Sequence, residues 1–178
     1  MKIIHFSDIH YRKVITNGRI KELIEEINMI KPDIVVFTGD LLDKDYDLSS
    51  KETEFLIKQL SKIEAKYGKY GIIGDNDFFK EDYIKNIYIQ SGFNLLNNNY
   101  IIIKNKNNKS ILVAGVGSYI NKAADIDKAM ENIRDDNLEY KILLMHEPDY
   151  IKNVLSSGYQ FDLVLAGHSL NGSINIPI

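Results

Sequence analysis

No cysteine occurs among the 178 residues. That absence excludes a disulfide scaffold, a zinc–thiolate or iron–sulfur site and a cysteine nucleophile. Nor is there an excess of base: 22 Lys and Arg stand against 25 Asp and Glu, a formal net charge of −3. Such a chain has no bulk positive field for gripping a phosphate backbone, so nucleic acid is not expected as a partner. Phosphate chemistry here would need its positive charge from another source. Long apolar runs are missing as well. Ile34-Val35-Val36-Phe37 and Ile101-Ile102-Ile103 fall far short of the roughly 20 residues a bilayer demands. The first eight residues meet charge and polarity too early for a signal peptide. The expectation is a soluble, cytoplasmic protein with no membrane anchor.

What the chain does have is an alternation of short apolar runs with segments of helical period. Residues 3–6 read as a strand, and Ile20, Leu23, Ile24, Ile27 and Ile30 then recur on one helix face. Lys31-Pro32 ends that helix, because the residue before proline is pushed out of the α region. Residues 33–38 form a continuous apolar strand, as expected when both faces are covered. The same reading predicts helices over 50–67, 82–90 and 123–133, and a short one from Pro148. Strands are predicted over 70–73, 141–145 and 162–166, and a hairpin joins 100–103 to 111–116. The pattern predicts one α/β domain over 1–178, with a mainly parallel sheet plus antiparallel pairing in the hairpin.

The informative feature is the set of residues at the exit of each run. Five predicted strands lead into Ser7-Asp8-Ile9-His10, Thr38-Gly39-Asp40-Leu41-Leu42-Asp43, Gly74-Asp75-Asn76-Asp77, Met145-His146 and Gly167-His168. The carboxyl ends of parallel strands share one edge, where ligands bind. Carboxylates and imidazoles converging there suit divalent cations of intermediate hardness, such as Mn, Fe or Zn. Two such cations can clamp an in-line displacement, and Asp40, between Gly39 and a loop, suits the bridging carboxylate. Singly, an Asp-x-His or Gly-Asp is a common turn or strand exit, and His146 alone would read as a core histidine. Jointly they are not, because three of only four histidines lie at strand ends beside these acids. His5, inside the first strand, is assigned to packing.

In order and spacing these residues resemble the calcineurin-like metallophosphoesterase superfamily, whose motifs are Asp-x-His, Gly-Asp-x-x-Asp, Gly-Asn-His-Asp/Glu, a His after a strand, and Gly-His-x-His. His146-Glu147-Pro148-Asp149 and the stretch from Ala166 through Gly172, Ile174 and Pro177 look most like a bacterial phosphodiesterase branch. Some of its members act at membranes on phospholipid-like or nucleotide-sugar substrates. The resemblance implies an α/β/β/α sandwich with mixed sheets and two divalent metals, with Mn favoured over Fe, Zn or Mg. It implies Asp8 and His10 on the first metal, Asp40 between the two, and Asp75, His146 and His168 on the second. Asp43 and Asp77 match positions that orient ligands by hydrogen bonds.

Three positions depart from that pattern. Asp75 replaces an Asn, Asn76 replaces the His credited with contacting phosphate or protonating the leaving group, and Leu170 replaces the last His. The first metal site is thereby expected to be the weaker one, with water, the Asn171 amide or a backbone carbonyl filling the gap. The resemblance also implies further strands beyond the last motif. A chain stopping at Ile178 looks short at that end, and a homodimer would cover the sheet edge left open. The expected function is a metal-dependent phosphoesterase, specifically a phosphodiesterase acting on a small molecule or a lipid-like headgroup. Asn76 would at most hydrogen-bond that substrate. The competing expectation is a degenerate member that binds one metal or a phosphate ligand without turnover.

Overall fold

A computed structural model describes residues 1–104, 109–133 and 138–169. The expectations resting on Leu170, Asn171, Gly172, Ile174, Pro177 and the chain end lie outside the described residues. The first sheet is parallel throughout and runs in chain order: β1 (Ile3–Phe6), β2 (Ile34–Phe37), β3 (Lys69–Gly71) and β4 (Phe93–Leu95). Its crossovers carry α1 (Asn17–Ile30), α2 (Ser50–Leu60) and α3 (Glu81–Ser91). The second sheet orders β5 (Asn99–Lys104), β6 (Ser110–Gly115), β7 (Leu138–Met145) and β8 (Leu163–Ala166). Only its β5–β6 hairpin is antiparallel, so mixed pairing is confined to this sheet. Two short helices, α4 (Ile126–Ala129) and α5 (Ile151–Ser157), lie in its connections.

The period of two in the strands builds the layers. In β2, Val35 and Phe37 point to the cluster beneath α1, α2 and α3, while Ile34 and Val36 face the other sheet. In β7, Leu143 and Met145 join the α4–α5 side, and Ile142 and Leu144 meet β2 and β3 between the sheets. Strands with both faces covered have no polar side, which is why these runs read as continuous. The result is the expected helix–sheet–sheet–helix sandwich. Among the described residues, no helix is long and apolar enough to cross a membrane.

Local chemistry sets most element ends. Thr16 caps α1 and left-handed Lys31 closes it ahead of Pro32. Ser49 and Glu52 cap α2 reciprocally. Two helices are shorter than expected. The 50–67 segment leaves the helix at Leu60, because the Lys66 and Tyr67 amides donate instead to the Pro32 and Asp33 carbonyls beside β2. The 123–133 segment keeps one helical turn, Ile126–Ala129, opened by the Asp125 cap. β4, only three residues long, carries too little pattern to be read from the sequence.

Lys69 is a charged residue in the core, 8% exposed at the start of β3. Its ammonium donates to the Leu60 carbonyl at 3.1 Å and to the Ser91 carbonyl at 2.6 Å, satisfying the ends of α2 and α3 together. Lys69→Met keeps the bulk and strands both carbonyls. It should lower the thermal midpoint by about 4–8 °C, equivalent to about 2 kcal/mol for a domain of this size. A calorimetric midpoint unchanged from wild type would mean that neither helix end depends on this lysine.

Candidate metal centre

The strand ends do converge, because backbone pairing continues past the strands. Asp8 N donates to Gly39 O, His10 N to Asp40 O and Tyr11 N to Leu41 O, zipping the loops after β1 and β2 together. Gly167 N donates to His146 O and joins the exits of β7 and β8 in the same way. Gly39 has φ +94°, and a Cβ there would stand 2.5 Å from Gly74 N and 2.9 Å from His146 Nδ1. A Cβ on Gly74 would overlap the Asp40 carboxylate itself. The two glycines therefore let the β2 and β3 exits touch, which brings Asp40 beside Asp75.

Among the described residues two groups of ligand atoms result, each within 4.8 Å of one another: Asp75, His146 and His168, and Asp8, Asp40 and His146. Asp75 Oδ1 lies 2.9 Å from both His146 Nε2 and His168 Nδ1. His146 is fully buried and its Nδ1 meets the Thr38 carbonyl at 2.6 Å, which leaves Nε2 aimed at the acids. Asp40 uses its two oxygens in different directions. Oδ1 is 3.5 Å from His146 Nε2, and Oδ2 is 3.4 Å from His10 Nε2. His10 stands outside both groups and touches the cluster through Asp40. Its Nδ1 is buried without a hydrogen-bond partner, with Asp43 Oδ2 3.8 Å away.

The residues around these ligands are occupied by one another. Asn76 donates from its backbone to Asp40 Oδ1 at 2.9 Å and from its amide to Asp40 Oδ2 at 2.7 Å, with a longer bond of 3.4 Å to Asp75. Asp77 is buried and accepts from Leu42 N at 3.1 Å and Gly74 N at 3.2 Å, stapling the Asp40 and Asp75 loops. Asp43 is gripped by Lys13 Nζ at 2.6 Å. His168 N donates to the Asp8 carboxylate at 3.0 and 3.2 Å. His5 is not packed inside as expected. It is exposed, and Nε2 meets the Thr38 hydroxyl at 2.8 Å. Neither the Thr38 carbonyl nor Lys13 is legible in the sequence. A main-chain oxygen leaves no residue signature, and a lysine in a surface loop carries none.

Crowding shows in the proton affinities. Burial alone would lower the His146 imidazole, but Asp40, the Thr38 carbonyl and Asp8 outweigh it and raise the pKa to about 10. Burial opposes ionisation of Asp40 too, yet His146 and the two Asn76 donors hold its carboxyl below the ordinary range. Asp77, buried and facing Asp40, is pushed up to about 7 despite its backbone donors. Lys13 holds Asp43 low. The donor set fits a divalent cation: mixed oxygen and imidazole atoms, a histidine oriented from behind by the Thr38 carbonyl, and several carboxylates facing one another.

Chemistry and fold have counterparts. The calcineurin-like phosphoesterase family model matches residues 1–172. An uncharacterized metallophosphoesterase of Bacillus subtilis, YkuE, is 30% identical over 99% of this chain and 60% of its own length. A Bos taurus transmembrane protein with metallophosphoesterase domain is 24% identical over 98% of this chain and 41% of its own length. The chain thus spans roughly half the length of such curated relatives. Among solved structures, the calcineurin-like phosphoesterase YfkN of Bacillus subtilis superposes with a TM-score of 0.57 at 16% identity, covering 94% of this chain and 71% of that one. A Thermus sulfate thiohydrolase, SoxB, gives 0.57 at 14% identity over 85% of this chain and 33% of its own. The chain belongs to the calcineurin-like phosphoesterases.

Proposed function

We propose that this metal-dependent phosphoesterase is a phosphodiesterase working at a dinuclear site. Asp8, His10 and Asp40 would hold one cation, and Asp40, Asp75, His146 and His168 the other, with manganese favoured. The observation that carries the reading is Asp40, whose two oxygens face His10 on one side and His146 on the other. Cations bound there would supply the positive charge the chain lacks and acidify a water for in-line attack on phosphorus.

The chain's own residues do the arranging. Thr38 orients His146 from behind, and Asp77 keeps the Asp40 and Asp75 loops in register. Asn76 can donate an N–H bond to a substrate oxygen but not a proton. Acid assistance at a family position of this kind is worth roughly 10²–10⁴-fold. Its loss favours esters whose alcohol leaves readily. The proposed substrate is a small phosphodiester or a lipid-like headgroup. One observation favours the second reading, binding without turnover: the Asn76 amide is drawn onto Asp40 and Asp75.

Three measurements bear on this. Bis-p-nitrophenyl phosphate with added Mn²⁺ should be hydrolysed by the wild-type protein and at least about 100-fold more slowly by Asp40→Ala. Bound manganese with no turnover would favour the second reading, and equal turnover in both proteins would remove Asp40 from the chemistry. His146, with its pKa raised to about 10, carries a proton at pH 7 that a cation must displace. Manganese affinity should therefore climb with pH toward 10, and calorimetric heats should differ between buffers of unlike ionisation enthalpy. Identical heats would contradict proton release. Gly74→Ala, by driving a methyl into Asp40, should weaken manganese binding about 10- to 100-fold by titration. Unaltered affinity there would show that the close approach of the two loops is dispensable.

A further inference from the structure

The strand that supplies His146 continues into a buried acid that the chemistry above does not use. Glu147 is 3% exposed, and its carboxylate accepts three hydrogen bonds from the loop after β6. Oε1 takes the Ser118 hydroxyl at 2.5 Å and Ile120 N at 3.2 Å, and Oε2 takes Tyr119 N at 2.9 Å. Ser118, itself fully buried, receives the Asn121 amide at 3.0 Å and Asn121 N at 3.3 Å. The same Asn121 amide donates to the main-chain carbonyl of Asp75 at 3.1 Å. Lys122 N to Tyr119 O and Ala123 N to Ser118 O close the loop into a turn.

We infer that Glu147, Ser118 and Asn121 form a clamp that positions Asp75 for cation binding. The route is continuous: Glu147 fixes the 118–121 turn, the turn fixes the Asn121 amide, and that amide fixes the peptide of Asp75. Glu147 and Asn121 are positioning residues and belong to neither group of ligand atoms. The clamp spans the two sheets, since Asp75 leaves β3 while Glu147 and Ser118 follow β7 and β6. Adjacent residues of one strand end thus do two tasks. His146 faces the cluster directly, and Glu147 sets where Asp75 stands. A carboxylate with two acceptor atoms is needed, because its three donors approach both oxygens. A peptide freed by a few tenths of an ångström would move Asp75 Oδ1 away from the two imidazoles it now meets.

The inference rests on the reading of Asp75 as a ligand, so the test separates the two. Manganese titration by calorimetry on the full chain, with thermal melts in parallel, compares wild type, Asp75→Ala, Asn121→Ala and Glu147→Gln. Asn121→Ala removes the last link without burying a charge, and should bind manganese about 10- to 100-fold more weakly while melting near wild type. Glu147→Gln retains one acceptor oxygen and should fall between Asn121→Ala and wild type in affinity. Wild-type affinity in both variants, beside a weakened Asp75→Ala, would overturn the clamp alone. Wild-type affinity in Asp75→Ala would overturn the ligand assignment and the clamp with it. A drop in melting temperature with no change in affinity would reduce Glu147 to a loop brace and reject the inference.

Discussion

Mutual repulsion among carboxylates is the constraint around which this end of the molecule is organised. Asp8 and Asp40 place oxygens within 4.8 Å of one another, and Asp75 and Asp77 sit on the neighbouring loop. Two unit charges at that separation repel by about 3 kcal/mol at an effective dielectric near 20. The fold answers with directed donors. His168 N serves Asp8, Asn76 serves Asp40, and Leu42 N and Gly74 N serve Asp77. These bonds dampen the repulsion without cancelling the charge. The same neighbourhood holds an imidazole, His146, raised to about 10 and a buried carboxyl, Asp77, pushed up to about 7. The imidazole is raised chiefly by Asp40 against the effect of burial, whereas the Asp77 carboxyl is raised first by burial and then by the Asp40 charge.

The backbone is strained in the same place. Asp8, His10, Asp40 and His168 all have positive φ, between 38° and 65°. Non-glycine residues persist there only when their surroundings over-determine them, at a cost of order 1–3 kcal/mol each. Here the determinants are visible. The main-chain bonds between the loops after β1 and β2 require Asp8, His10 and Asp40 to turn where they do. Glycine at 39 and 74 clears the space into which they turn. The strain is held by hydrophobic burial elsewhere, in the fully buried β2, in residues 142–145 of β7 and in the helices packed on each side.

Much of this is readable from the residues, and the divide is physical. Strand exits carrying Asp8, His10, Asp40, Asp75, His146 and His168 are legible jointly, because five apolar runs each ending in acid or histidine share one edge when their strands are parallel. The helix–sheet–sheet–helix layering is not carried by periodicity. It comes through the family resemblance, since a run buried on both faces does not say what covers it. Bonds made by the main chain are silent: the Thr38 carbonyl behind His146, the Asp75 carbonyl under Asn121, and the positive φ values. Asn76 shows the limit from the other side. Its identity announces a missing proton donor, but only the folded chain places its amide on Asp40. The ends of the 50–67 and 123–133 helices differ from the sequence pattern because tertiary hydrogen bonds to Pro32 and Asp33, and the Asp125 cap, decide them.

The site's position on the seam between sheets links its chemistry to the stability of the fold. Asp8, His10, Asp40 and Asp75 leave the first sheet, and His146 and His168 leave the second. Between the sheets lie apolar side chains from both, which resist separation. Polar contacts add ties across this edge: His146 to Thr38 and Asp75, and His168 to Asp8 and Asp75. A cation held among those atoms would bind the folded state and not the open chain, and would then stabilise the sandwich by about 1.4 kcal/mol for each tenfold excess over its dissociation constant. Metal loading would therefore favour the paired sheets over the open chain. A residue that holds Asp75 to the second sheet, as Glu147 does through Ser118 and Asn121, would act on that loading while the apolar seam carries the stability of the metal-free chain.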